Sequence, residues 1–310
     1  MAHQLLYLVQ NPETIDTANG IPTRKENRTM KKLISTLAMG AVLSASAAFA
    51  QPFWTGSLYN ENVGGLVGNI QTLDWSSSGS GNASGIGPFG TPLTVGQTFD
   101  FRYQSFLAGV TSPTGQSVTF PGLTTDFEYT VVAKFPEIVA SFTPLGGGAS
   151  TALLSTLPGG TFAIYYDAVA NSNVTAGTGF DNGIVVASGT INPGQLTTFT
   201  ATSPTQGIGS TILEGLVTYV DPFYIDPSTN FIFDFRFEGT LNYPPLDSTT
   251  AGFFIGGDAA WADYLVANND VPFKVDGSSK FSVVPEPSTM LLLGIGLLGI
   301  AGYTRKRIQK

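Results

Sequence analysis

The chain has 310 residues, with 14 basic and 22 acidic side chains and a formal net charge of −8. It has no cysteine, and its one histidine is His3, ahead of an export-like segment, so the domain lacks both thiolate and imidazole. That removes Ser-His-Asp and Cys-His catalysis, histidine-based zinc sites and histidine pH switching. Between residues 51 and 284 the only cations are Arg102, Lys134, Arg236, Lys274 and Lys280, too few to release counterions from nucleic acid.

Residues 1–29 are mostly polar and unpatterned. Met30 is read as the initiator, with residues 1–29 a non-native extension; the alternative is a long cytoplasmic lead-in to the same signal. Residues 30–50 read as a signal-peptide helix: Lys31 and Lys32 supply the positive start, and an apolar run leads to Ala48-Phe49-Ala50. Small residues at Ala48 and Ala50 fit signal-peptidase cleavage before Gln51.

Residues 51–283 form one domain, long enough for a sizeable core without disulfides. Alternation with period two predicts strands. Phe99-Asp100-Phe101-Arg102-Tyr103 is the first, and residues 127–135 place Phe127, Tyr129, Val131, Ala133 and Phe135 on one face. Further strands are expected at residues 161–169, 183–191, 195–201, 211–220 and 280–284. In residues 233–238, Phe233, Phe235 and Phe237 oppose Asp234, Arg236 and Glu238.

Breaks fall at Gly146-Gly147-Gly148, Pro158-Gly159-Gly160, Asp181-Asn182-Gly183 and Asn192-Pro193-Gly194. Residues 76–90, rich in Gly and Ser, read as a mobile loop. One short helix is expected at residues 258–267, N-capped by Asp258. Many short strands with little helix predict an all-β fold, an antiparallel β-sandwich of jelly-roll-like form.

Carboxylates are the only catalytic groups present in number. Glu137, Glu214 and Glu238 are candidates for glycoside cleavage, which needs two carboxyls about 5–10 Å apart. Glu214 shares a strand face with Ile212, Leu216 and Val220, which would raise its pKa by desolvation; the structural alternative pairs it with Arg102 or Arg236. Asp221 and Asp226 offer hard oxygen ligands for Ca²⁺, although they also suit ordinary turns. Trp54, Trp75, Trp261, Tyr59 and Tyr224 are candidates for stacking on sugar rings, and Trp75 is singled out as the glycan contact. No catalytic residue, metal site or cofactor is assigned.

The tail carries the most specific signal. Pro285-Glu286-Pro287-Ser288-Thr289 precedes an apolar run over residues 290–302, then the basic cluster Arg305, Lys306 and Arg307. At about 1.5 Å rise per residue the run covers roughly two-thirds of a bilayer core. It forms a short membrane helix if the bilayer thins or the basic residues snorkel, and the positive end favours the cytoplasmic side. Pro285 and Pro287 prevent a smooth passage from strand to helix. Gly294, Gly296 and Gly299 spell a dinucleotide fingerprint, but without its strand-turn-helix setting.

These three parts, in this order, closely resemble the PEP-CTERM sorting signal of Gram-negative bacteria. The resemblance implies that a membrane-embedded exosortase recognises Pro285-Glu286-Pro287, removes the helix and releases the domain to the cell surface or the exopolysaccharide matrix. Leu73-Asp74-Trp75-Ser76 and residues 87–99 loosely resemble flocculation-associated members of that group. The implied role is a non-enzymatic structural or adhesive matrix protein in biofilm or floc formation. A carbohydrate-binding module is the alternative, and a carboxylate-based polysaccharide-cleaving enzyme comes third. The implied partners are signal peptidase, exosortase, the inner membrane before processing and exopolysaccharide. Nucleic acid is excluded, and an anionic polysaccharide would need bridging divalent cations.

Overall fold

The computed structural model describes residues 53–226, 233–246 and 250–283. The signal helix, the sorting motif, the short membrane helix and the basic cluster lie outside the described residues.

The described chain is all-β. A small sheet is formed by β1 (Gly56–Asn60), β2 (Gly65–Ile70) and β11 (Ile225–Asp226). The main antiparallel sheet has ten strands: β3 (Thr72–Ser84), β4 (Thr98–Thr111), β5 (Glu128–Gly146), β6 (Ala149–Thr156), β7 (Gly160–Asp167), β8 (Ile184–Ile191), β9 (Leu196–Ser203), β10 (Gln206–Val220), β12 (Phe233–Tyr243) and β15 (Val271–Val283). The short strands β13 (Gly252–Phe253) and β14 (Tyr264–Leu265) pair separately.

The main sheet closes on itself. One ring runs β12, β15, β3, β4, β5, β7, β8 and β10 back to β12; the other replaces β7 and β8 with β6 and β9. Two long strands make this fork. Residues 128–134 of β5 pair with β7, and residues 137–146 pair with β6. Likewise β10 pairs first with β9 and then with β8. Pro136 stands at the changeover in β5, where the missing N–H of proline costs no ladder bond to either partner. Closure leaves each strand of the main sheet with a partner on both sides, so it presents no open edge.

The interior follows from period two. Along β5, Tyr129, Val131, Ala133, Phe135, Glu137 and Val139 are all buried. They meet Phe99, Phe101 and Tyr103 of β4, Phe235 and Phe237 of β12, and Phe273 and Val275 of β15. At one end, Trp54 and Leu58 beside the small sheet close the core against Phe281. At the other end, Phe89 stacks on Tyr243 with centroids 3.7 Å apart. A second, smaller core lies outside the wall, where Val132, Ala163 and Tyr165 are covered by Phe180, Phe253 and Phe254.

Several expected elements differ. Residues 76–84 are strand, with the loop confined to residues 85–97. The small side chains there make room for large ones: a Cβ on Gly81 would lie 2.7 Å from Val275 Cγ2 and 2.8 Å from Phe101 Cζ. Residues 181–183 are bends within a long connection. The helix at residues 258–267 does not form, and no helix occurs among the described residues. Its backbone donors go to non-helical acceptors instead: Val266 N–H reaches the distant Ala251 O at 3.1 Å and Ala267 N–H reaches the side-chain Oδ2 of nearby Asp270 at 3.0 Å. Asp258 still caps locally, accepting from Ala260 N at 2.8 Å. The Gly-Gly turn is as expected. Gly146 pairs with Ala149, and Gly147 and Gly148 have φ of 62° and 84°, the type I′ requirement.

Candidate functional site

Three features compete for function: the paired ends of the described domain, an exposed aromatic cluster, and the barrel interior around Glu137.

At the paired ends, Phe53 and Ser282 form an antiparallel bridge, and Trp54 N–H donates to Phe281 O at 2.8 Å. The Lys280 ammonium lies 5.1 Å from the centre of the Phe53 ring. The first and last described residues therefore leave the barrel side by side. The signal-peptidase residues Ala48, Ala50 and Gln51 precede this point in sequence, and Pro285, Glu286 and Pro287 follow it. β15 ends at Val283, so the sorting motif begins where the last ladder bonds stop.

The aromatic cluster gathers near the same end. Tyr59 lies 4.9 Å from Phe223 and 5.5 Å from Tyr224, and Tyr166 lies 4.8 Å from Tyr224. Phe223 is 60% exposed. The Tyr166 hydroxyl donates to Glu61 Oε2 at 2.5 Å, which with burial holds this phenol well above its ordinary range. Tyr59 and Tyr224, expected as sugar contacts, are thus brought together. Phe223, which completes the cluster, carries no alternating pattern in the Asp221–Asp226 turn that would mark it as exposed.

Trp75 is not a surface contact. It is 1% exposed, and its indole Nε1 donates to Ser279 Oγ at 2.9 Å. The flanking serines suggested a loop, but they belong to β3 and place the ring in the core. Trp54 is also buried, and Trp261 packs edge-on to Phe254.

The carboxylates separate into different roles. Glu214 lies on the outer face and pairs with Arg236 Nη1 at 2.9 Å, while Glu238 takes Arg236 Nε at 2.8 Å. The buried face of β10 is the other one, carrying Leu213 and Val217, while Ile212 and Leu216 share the solvent face with Glu214. Asp221 Oδ1 accepts Phe223 N–H at 2.9 Å in a turn. Among the described residues no group of three or more Asp, Glu, His or Cys side chains forms a metal cluster.

Glu137 is different. Alternation points it inward between Phe135 and Val139, and it is 1% exposed. The Thr197 hydroxyl donates to its carboxyl, while Oε1 has no hydrogen-bond partner. Burial raises its pKa from 4.5 to about 7.

The described fold is an all-β domain. A family model for the PEP-CTERM protein-sorting motif matches residues 283–307, so the chain is a PEP-CTERM sorting domain-containing protein. The motif implies an exosortase-targeted protein that reaches the cell surface or extracellular space through a membrane-anchored intermediate. No curated protein and no solved structure matches the chain.

Proposed function

We propose that this is a non-enzymatic structural or adhesive protein of an exopolysaccharide-linked matrix, active in biofilm or floc formation. The observation that carries this reading is the sorting motif at residues 283–307, joined directly to the last barrel strand. A closed, jelly-roll-like barrel suits a matrix component, because it resists edge-to-edge aggregation once the tether is cut. Signal peptidase and exosortase act on the segments that precede Phe53 and follow Val283 in the sequence.

Intact mass of the surface-released protein tests the processing. A species starting at Gln51 and ending near Pro285 is expected; one retaining Arg305 to Lys310 would refute it. For the role, a deletion strain should disperse while purified protein releases no reducing sugar.

A carbohydrate-binding role is the second reading, favoured by the exposed Phe223 beside Tyr59 and Tyr224. Aromatic rings stacked against one another present an apolar face with polar hydroxyls at its margin. Glycan-array binding that disappears in Phe223→Ala, with an unchanged melting curve, would place the adhesive contact there. Unchanged array binding in that variant would remove this reading.

A further inference from the structure

A closed barrel of about eight strands is just wide enough to be filled by side chains or to hold one small ligand. This one is not completely filled. A cavity of about 100 Å³ lies inside the fork, with Phe101, Phe135, Phe199 and Leu241 among the apolar residues in its wall. An engineered apolar cavity on the order of 150 Å³ accepts benzene.

The cavity wall is mostly apolar, with Thr91, Ser150 and the buried Tyr103 hydroxyl also in it and one polar cluster around Glu137. Glu137, Thr197 and Thr211 line it together, and the two threonine hydroxyls hydrogen-bond each other at 2.9 Å. Thr197 also serves the Glu137 carboxyl, which leaves Glu137 Oε1 buried without a partner. An orphaned buried acceptor costs about 1–3 kcal/mol, so a donor brought in by a ligand would recover it.

Phe89 lines one side of this cavity and is only partly buried. Phe89 stacks on Tyr243 at 3.7 Å and meets Phe199 edge-on at 6.1 Å. Gly87 and Gly90 bracket it with φ of 100° and 89°, a backbone region other residues rarely adopt. Phe89 can therefore leave its aromatic seat without disturbing any ladder bond of the barrel.

We propose that the barrel interior binds a small apolar molecule carrying one hydroxyl group, with Glu137 accepting from that hydroxyl and Phe89 as the door. The chemistry selects the alcohol or phenol class. A ligand carboxylate would place two acids in one dry cavity, and an ammonium would have to lose its own hydration to enter it. A neutral hydroxyl meets the orphaned oxygen at much lower desolvation cost.

Phenol and benzene are the probes, titrated calorimetrically into the surface-released protein. Phenol should saturate and bind about tenfold tighter than benzene, the equivalent of one good hydrogen bond. Glu137→Leu should abolish that preference while a melting curve shows it folded. Glu137→Gln, which keeps an acceptor of the same shape, should retain it and serves if the leucine variant fails to fold. Phe89→Ala should speed phenol association. Absence of saturable phenol binding, equal affinity for the two probes, survival of the preference in Glu137→Leu, or its loss in Glu137→Gln would each overturn the proposal.

Discussion

The Trp75 indole reaches diagonally from β3 to the Ser279 hydroxyl of β15 at 2.9 Å, and both residues are only 1% exposed. Trp75→Ala should cost about 3–5 kcal/mol by urea denaturation, the usual range for emptying a large aromatic site. Trp75→Phe should cost about 1–3 kcal/mol, because much of the packing survives while the Ser279 hydroxyl loses its partner. Any glycan binding lost in the alanine variant would therefore report unfolding.

Glu214 faces Arg236 directly across the β10–β12 register, on the solvent side. Exposed ion pairs contribute about 0–1 kcal/mol. Glu214→Gln should therefore move the urea midpoint little and should leave every surface phenotype intact. A loss of several kcal/mol would show that the Glu214–Arg236–Glu238 group acts as a network.

The pH dependence of stability should be dominated by acids that burial favours in the neutral form. Glu137 is raised from 4.5 to about 7 and Asp181 from 3.8 to about 6, both chiefly by desolvation. A raised folded pKa means the native state binds the proton more tightly than the unfolded chain. That stabilisation is complete below the unfolded value and is lost as pH rises through the folded one. For Glu137 the window is pH 4.5 to 7, with a magnitude on the order of 3 kcal/mol. Asp270 acts in the opposite sense: hydrogen bonds from Ala267, Tyr264, Gly85 and Asn82 outweigh burial and lower its pKa below 3.8, so its contribution fades only in stronger acid. Urea midpoints should be higher at pH 5 than at pH 8, and Glu137→Gln should flatten most of the difference.

The two turn glycines between β5 and β6 should not be equivalent. Both have positive φ, but a Cβ at Gly147 meets nothing within 4 Å, whereas one at Gly148 would lie 2.4 Å from Pro204 Cγ. Gly147→Asn should be nearly neutral, since Asn tolerates that backbone region. Gly148→Asn should cost about 1–2 kcal/mol more. Paired melting curves of the two variants decide this.

Much of the wall was readable as strands. The runs expected at β7, β8 and β9 match the structure within two residues, whereas β4, β5, β10, β12 and β15 extend well beyond the short runs that mark them. β3 carries no such run: Ser76 to Asn82 have no large apolar side chain, and Gly81 is buried because Phe101 and Val275 press against it. β10 was readable as a strand but not in phase. Ile212 and Leu216 point outward at 45% and 38% exposure while Leu213 and Val217 point in, so both faces are apolar and alternation alone could not choose between them.

Local chemistry was sufficient for destination and exclusion. The Pro-Glu-Pro motif with its apolar run and basic cluster is contiguous, and the lack of Cys and of any His in the domain is a matter of inventory, so neither needs a fold to be recognised. Which face of a strand is buried, which carboxylate is orphaned and which aromatics meet depend on contacts between residues far apart in the chain. Glu137 and Thr197 become neighbours inside one cavity because β5 and β10 each change partners midway and the sheet closes around them. Ring closure is a global property of strand pairing, and no stretch of sequence carries it alone.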